Sequence, residues 1–111
     1  MEKVNWGIIG LGKIAEVFSN AFEEAENAQL LAVASREQKK LNQFKDRFNL
    51  KNKFLFDNYE DLISCNDIDI VYIALPNSLH HQWIIECIKN KKNILVEKLA
   101  NLNFATAIDI K

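Results

Sequence analysis

Near its N-terminus the chain reads VNWGIIGLGKIA over residues Val4–Ala15, and this stretch decides the fold. Its first half, Val4–Ile9, is a short apolar run that predicts a buried β-strand. The pattern G-x-G-x-x-A follows at Gly10–Ala15, and apolar residues then recur at helical spacing over Lys13–Ala25. A strand, a glycine turn and a helix in this order are typical of a dinucleotide-binding element.

Each position of the glycine turn has a chemical reason. Gly10 permits the tight turn, Gly12 lets the backbone approach a pyrophosphate, and the small Ala15 lets the helix pack closely on the strand. Free N–H groups at the helix start, at Lys13 and Ile14, supply partial positive charge for phosphates. The alternative is an ordinary glycine turn that binds nothing. The strand before it and the helix and second strand after it favour dinucleotide binding.

Composition limits the functional classes. The chain has 111 residues, with 14 basic and 15 acidic side chains and a formal net charge of −1. This length fits one domain and excludes a two-domain enzyme as a description of this chain by itself. The net charge indicates no basic surface. The apolar run Ile70–Leu75 is far shorter than the roughly 18 residues of a spanning helix. The short apolar runs and the near-zero charge lead us to expect a cytoplasmic protein without a nucleic-acid or membrane partner. Cys65 and Cys87 form no metal-ligand pattern, so we expect no metal site.

Short apolar runs alternate with amphipathic stretches along the chain, which predicts βαβ units. The predicted strands are Val4–Ile9, Leu30–Ala34, Phe54–Phe56, Ile68–Leu75 and Ile94–Val96. We expect Asn77 or Ser78 to cap the helix after the fourth strand, and a last helix to begin at Phe104. The predicted fold is an α/β, Rossmann-type, doubly wound and mostly parallel sheet of about five strands, in the order 3-2-1-4-5, with helices on both faces.

The residues after the second predicted strand bear on the choice of cofactor. A Rossmann domain that binds NAD has an acidic residue there, which hydrogen-bonds the ribose 2′-hydroxyl. This chain has Ser35 and Arg36, a hydroxyl and a guanidinium that can hold a 2′-phosphate, and this favours NADP. Glu37 leaves NAD open, because a shift of one residue would bring its carboxylate to the ribose. A further interpretation makes Arg36 a surface charge at a helix start.

Four separated segments of the chain match one family. They are Asn5–Ala15, Ala34–Arg36, Ala74–His80 and Val96–Lys98. Together they resemble the N-terminal domain of the Gfo/Idh/MocA oxidoreductases, whose members act on sugars, polyols and dihydrodiols. The resemblance implies that residues 1–111 are an NAD(P)-binding Rossmann domain. It also implies that the family's C-terminal substrate and oligomerisation domain is absent from this chain.

The resemblance also implies roles for individual residues. Lys98 would be catalytic and assist proton movement at the substrate oxygen, and Glu97 would line the cofactor side of the same cleft. Pro76 and Asn77 would pass beside the nicotinamide ribose, and His80 would contact the cofactor. The family's usual Glu-Lys-Pro becomes Glu-Lys-Leu here, which leaves the turn after Lys98 open. The alternatives are a surface lysine at Lys98 and a solvated first-turn histidine at His80.

Three functions remain open at this point. The chain is the cofactor-binding part of an oxidoreductase that transfers hydride to or from a small sugar, polyol or related compound. Alternatively, it is a stand-alone dinucleotide-binding or redox-sensing module without turnover, or a structural domain that binds nothing. Hydride transfer needs both reactants held together, so activity would require a complementing substrate domain. Surface that such a domain would cover also favours a homo-oligomer.

Overall fold

A single six-stranded sheet organises the molecule, and the computed structural model describes residues 4–23, 25–97 and 104–106. The strands are β1 (Val4–Ile9), β2 (Ala28–Ala34), β3 (Leu55–Phe56), β4 (Ile70–Ile73), β5 (Asn93–Glu97) and β6 (Phe104–Thr106). The α-helices are α1 (Lys13–Asn20), α2 (Gln38–Phe48), α3 (Tyr59–Ile63) and α4 (Asn77–Lys89), and short 3₁₀ turns occupy Ala21–Glu23 and Asn52–Phe54.

The strand order is β3-β2-β1-β4-β5-β6, and the pairs among β1 to β5 are parallel. This confirms the predicted order 3-2-1-4-5. The helix expected from Phe104 is wrong, because residues Phe104–Thr106 form β6, which pairs antiparallel with β5. The outer edge of β5 would otherwise leave a row of backbone N–H and C=O groups unpaired, and Phe and Thr are residues that are enriched in strands.

The two faces of the sheet are covered by different helices, as predicted. On one face Ile8 and Tyr72 pack with Leu41 of α2, and Ala15 of α1 belongs to the same buried cluster. The opposite face is a second cluster, which contains Ile9, Ala32, Val71 and Ile73 from the strands, Leu62 from α3, and Trp83 and Cys87 from α4. Successive residues of β4 therefore bury into both clusters, which is why its sequence is apolar throughout.

Strand β2 contains one extra residue. Trp6 pairs with Leu30 and Gly7 pairs with Ala32, so Leu31 has no partner of its own on β1. Leu31 and Ala32 accordingly pack on the same face of the sheet, with α3 and α4. This arrangement is a β-bulge, and regular pairing resumes beyond it towards the end of the strand.

Helix α4 begins one or two residues earlier than expected. Its N-cap is Pro76, and Asn77 and Ser78 are its first two helical residues, so the predicted capping role of Asn77 or Ser78 is wrong. The backbone of Pro76 is extended, with φ −55° and ψ 150°, and its carbonyl accepts a hydrogen bond of 2.9 Å from Leu79 N–H. Because its ψ of 150° lies outside the helical range, Pro76 is the last residue before the helix.

Side-chain hydrogen bonds tie together the loops at the amino edge of the sheet, which is the edge where the parallel strands begin. Asn5 N–H donates to Asp69 Oδ2 at 2.8 Å. The ammonium of Lys92, which precedes β5, donates to the carbonyls of Cys65 at 2.6 Å and Ile68 at 2.7 Å. These bonds join the starts of β1, β4 and β5.

Candidate functional site

A groove of about 410 Å³ lies at the opposite, carboxyl edge of the sheet, where β1, β2 and β4 end. Three turns line it, Gly10–Gly12 after β1, Ser35–Glu37 after β2 and Ala74–Pro76 after β4, together with Lys40 of α2 and Tyr59 of α3. The strand order reverses between β1 and β4, and ligands of open α/β sheets bind at this switch point. The groove therefore brings together residues that the sequence predicted separately.

Gly10 is required by the backbone of the first turn. Its φ is +88°, a conformation that other residues rarely adopt, and its N–H donates to Ala34 O at 3.1 Å. A Cβ at this position would lie 2.6 Å from Leu75 Cδ2 and 2.7 Å from the Ala74 carbonyl oxygen. The turn after β1 and the turn after β4 thus touch at a point where only glycine fits.

Gly12 has no such conformational or packing requirement. A Cβ built on it would meet no atom of the described chain within 4 Å. Gly12 is the N-cap of α1, no side chain caps this helix, and its carbonyl accepts from Glu16 N–H at 3.2 Å. The N–H groups of Lys13 and Ile14 precede that first helical bond and have no acceptor within the helix. The bare backbone and the open space fit a dinucleotide pyrophosphate, which needs close approach to a helix N-terminus.

Ser35 forms the turn after β2. It is buried, its N–H donates to Phe56 O at 3.1 Å, and its Oγ accepts from Glu37 N–H at 3.1 Å. The hydroxyl hydrogen is not used in that bond and can donate to a ligand in the groove. The turn directs the next residue outward, and Arg36 is exposed.

Two cations face the groove near this turn. The Arg36 guanidinium carbon lies 5.4 Å from the centroid of the Tyr59 ring, and Lys40 follows one helical turn later. Among the residues that the structure describes, neither cation has a carboxylate within 4.0 Å. Arg36 was predicted from the sequence, whereas Lys40 and Tyr59 were not. The spacing of four residues could have revealed Lys40, whereas only the strand order brings Tyr59 close.

Comparison with known proteins agrees with this geometry. The family model described as "Oxidoreductase family, NAD-binding Rossmann fold" matches residues 4–110. The chain belongs to the Gfo/Idh/MocA family. It is 42% identical over 102 residues to "Oxidoreductase P35" of Formosa agariphila, an alignment that covers 91% of this chain and 31% of the relative.

Solved structures of two oxidoreductases have the same fold. The apo scyllo-inositol dehydrogenase of Lactobacillus casei superposes with a TM-score of 0.82 at 25% identity, over 92% of this chain and 30% of that one. KijD10, a 3-ketoreductase of Actinomadura kijaniata in complex with NADP and TDP-benzene, gives 0.80 at 30% identity, over 88% and 30%. This chain therefore spans about 30% of the length of the proteins it matches.

A histidine stabilises the turn after β4 in this Gfo/Idh/MocA domain. His80 Nε2 lies 2.6 Å from the carbonyl oxygen of Leu75, so this nitrogen carries the proton and donates. His80 does not line the groove, whereas Pro76 does. His80 thus stabilises the turn that forms one wall of the groove, and its contact with the cofactor stays a prediction.

Several predicted site residues are described in part or not at all. Glu97 ends β5, Asn77 begins α4 and Ile14 lies within α1. For these three residues the structure describes only the backbone. Lys98, the predicted catalytic residue, lies outside the described residues.

Within residues 4–23, 25–97 and 104–106, no group of three His, Cys, Asp or Glu side chains is arranged to hold a metal ion. No helix in those ranges has the length and apolar character needed to cross a membrane.

Proposed function

We propose that this domain binds NADP in preference to NAD in the groove at the carboxyl edge, as the cofactor-binding part of an oxidoreductase. The observation that carries the proposal is the open backbone at Gly12, which no packing in the described chain explains. In the proposal the pyrophosphate lies over Gly12 and accepts hydrogen bonds from the amides of Lys13 and Ile14.

The preference for NADP rests on charge at the end of β2. Arg36 and Lys40 both face the groove without a carboxylate partner among the described residues, and Ser35 has a hydroxyl hydrogen to donate. Two cations beside a hydroxyl suit a 2′-phosphate, which accepts charge-assisted hydrogen bonds. Glu37 also lines the groove, and it would hold a ribose 2′-hydroxyl if the domain used NAD.

The proposed reaction is hydride transfer to or from a small sugar, polyol or related hydroxy or carbonyl compound. The nicotinamide ring supplies the hydride chemistry when the cofactor is bound. Lys98, which follows β5 in the sequence, is proposed to move the proton at the substrate oxygen, with Glu97, Pro76 and Asn77 near the same end of the groove. A scyllo-inositol dehydrogenase and a 3-ketoreductase among the structural matches support this substrate class.

The proposed activity needs a second wall to the active site. The chain spans about 30% of the length of its relatives, which supports a complementing substrate domain or a second copy as its partner. Hydride transfer occurs only when both reactants are held close together, and the groove alone surrounds one of them.

The test is a fluorescence titration of the chain with NADPH and NADH. We expect tighter binding of NADPH, and we expect Arg36→Gln and Lys40→Gln each to weaken NADPH about tenfold while NADH changes little. Lys39→Gln is the matched control, because Lys39 is an exposed cation on the same helix that does not line the groove. If neither nucleotide binds, the proposal is refuted. Equal dissociation constants for NADPH and NADH would refute the preference for NADP.

A further inference from the structure

Tyr59 connects the core of the domain to the groove. It is the first residue of α3, it is half-buried, and its ring lies among the groove residues. Its centroid is 5.1 Å from that of Trp83 at an interplanar angle of 84°, an edge-to-face contact. Trp83 is only 3% exposed and belongs to the cluster between the sheet and α4. The buried indole therefore fixes the orientation of the Tyr59 ring.

The other neighbour of the Tyr59 ring is the side chain of Arg36. The Arg36 guanidinium carbon lies 5.4 Å from the Tyr59 centroid, within the range of a cation–π contact. Arg36 is exposed and has no ion pair among the described residues, so the ring is the group that favours one position for it. An unsupported arginine would sample many rotamers and would lose that freedom on binding a phosphate.

A guanidinium on an aromatic ring keeps its hydrogen-bonding capacity. The cation–π contact uses the face of the planar group, and its N–H donors lie around the edge. Arg36 can therefore rest on Tyr59 and still donate two parallel bonds to a phosphate. Tyr59 itself gives the phosphate no charge, so any effect it has on the choice of nucleotide must act through the arginine.

We infer that Tyr59 is a positioning residue for nucleotide specificity, which holds the Arg36 guanidinium at the groove and so favours a 2′-phosphate over a 2′-hydroxyl. The inference rests on the proposed function, since it concerns the same groove and nucleotide. The three side chains Trp83, Tyr59 and Arg36 form a row from core to surface, and they come from α4, α3 and the end of β2.

The experiment measures dissociation constants of NADPH and NADH for the 111-residue chain and its Tyr59 variants. Tyr59→Leu removes the aromatic face, and we expect the preference for NADPH over NADH to fall by about two- to five-fold, the range of an exposed cation–π contact. Tyr59→Phe keeps the face and loses only the hydroxyl, so it should retain the wild-type ratio.

A double-variant cycle separates positioning from a general structural role. In the Arg36→Gln background, Tyr59→Leu should leave the ratio unchanged, because the group it positions is gone. If Tyr59→Leu does not fold, as judged by circular dichroism, Tyr59→Met replaces it, since an unbranched side chain fits irregular space without an aromatic face.

The outcomes distinguish this inference from the proposed function. If the wild-type chain binds neither nucleotide, the proposed function fails and the inference fails with it. If the wild-type chain prefers NADPH and Tyr59→Leu keeps the same ratio, only the inference is overturned. The same holds if Tyr59→Leu lowers the ratio equally with and without Arg36, because the effect would then not pass through the guanidinium.

Discussion

The two edges of the sheet are built in different ways. At the amino edge, Lys92 donates to two carbonyls and Asn5 bonds Asp69, so the loops there are tied by side chains. At the carboxyl edge the turns after β1 and β2 leave a groove of about 410 Å³, and one backbone position, Gly12, faces open space. Residues that stabilise the fold and residues that are proposed to bind the nucleotide thus lie at opposite ends of the same strands.

This separation makes the effects of substitutions predictable. Variants at the amino edge should change the free energy of unfolding and leave nucleotide affinity alone, and most variants at the carboxyl edge should do the reverse. Gly10 is the expected exception, because it lines the groove and also contacts the turn after β4 through its backbone. Three substitutions, taken from the largest expected effect to the smallest, test how far the division holds, and the pH dependence of stability at Cys87 follows them.

Gly10→Ala should have the largest effect. Its Cβ would clash with Leu75 and the Ala74 carbonyl, and φ of +88° is strained for any side chain. We expect the free energy of unfolding to fall by about 3 kcal/mol, measured by urea denaturation. The control is Gly12→Ala in the same turn, which should unfold like the wild type. Near-equal stability of the two variants would mean that the turns do not touch as described.

Lys92→Met should destabilise the chain and spare its binding. The substitution leaves the carbonyls of Cys65 and Ile68 without their charged donor, and we expect a loss of about 2 kcal/mol in the free energy of unfolding. Nucleotide affinity, measured under conditions where the variant is folded, should match that of the wild type. Lys91→Met, at an exposed neighbouring lysine, serves as the control. A change of affinity at unchanged stability would contradict the division between the edges.

Gly12→Ala should weaken binding and spare the fold. The added methyl group meets no atom of the described chain, so the free energy of unfolding should stay within about 0.5 kcal/mol of the wild type. The same methyl group would occupy space that a pyrophosphate needs, and we expect NADPH and NADH to bind about tenfold more weakly. Unchanged affinity for both nucleotides would place the pyrophosphate elsewhere.

Cys87 predicts a small dependence of stability on pH. Burial raises the pKa of its thiol to about 12, with a further increase from Glu86 and a partial decrease from Lys92. The unfolded chain releases this proton near the ordinary pKa of 9.0, so the folded state binds more protons between these values and loses stability as pH rises. From about pH 8 to about pH 10, the wild type should lose about 1 kcal/mol more than Cys87→Ala in urea denaturation.

A second readout keeps this prediction independent of other titrating groups. Cys65 is half-buried and should react with a thiol reagent in the native chain, whereas Cys87 should react only after unfolding. Equal reaction rates of the two thiols would contradict the buried, protonated state of Cys87.

Much of the fold follows from the sequence because a parallel strand buried on both faces must be apolar throughout. That rule gave β1 within its observed bounds and placed the centre of β4. It failed at Phe104, because three residues of ordinary propensity carry no signal that an open strand edge lies beside them. The N-cap at Pro76 was also missed, since proline has no polar side chain that would mark the start of a helix.

The site was predictable where its chemistry is local. The glycine turn and the Ser35–Arg36 pair each lie in one short segment, and the structure brings both to one groove. Tyr59 was missed because the predicted strand order does not show which side chain at the start of α3 contacts Arg36. The hydrogen bond from His80 to Leu75 O is another contact that the sequence does not predict.

The extra residue in β2 has a consequence for aligning this chain with its relatives. Beyond Leu31, β2 pairs regularly with β1 through Ala34. The position of Ser35 at the end of β2 is therefore fixed by this pairing with β1, and not by the number of residues from the start of β2. Leu30 and Ala32 pack on opposite faces of the sheet, as neighbouring residues of a regular strand do. A strand without Leu31 would therefore keep every other side chain on the same face. A relative one residue shorter in this strand should therefore take its gap at Leu31, and the residues that are proposed to bind the nucleotide would keep their positions.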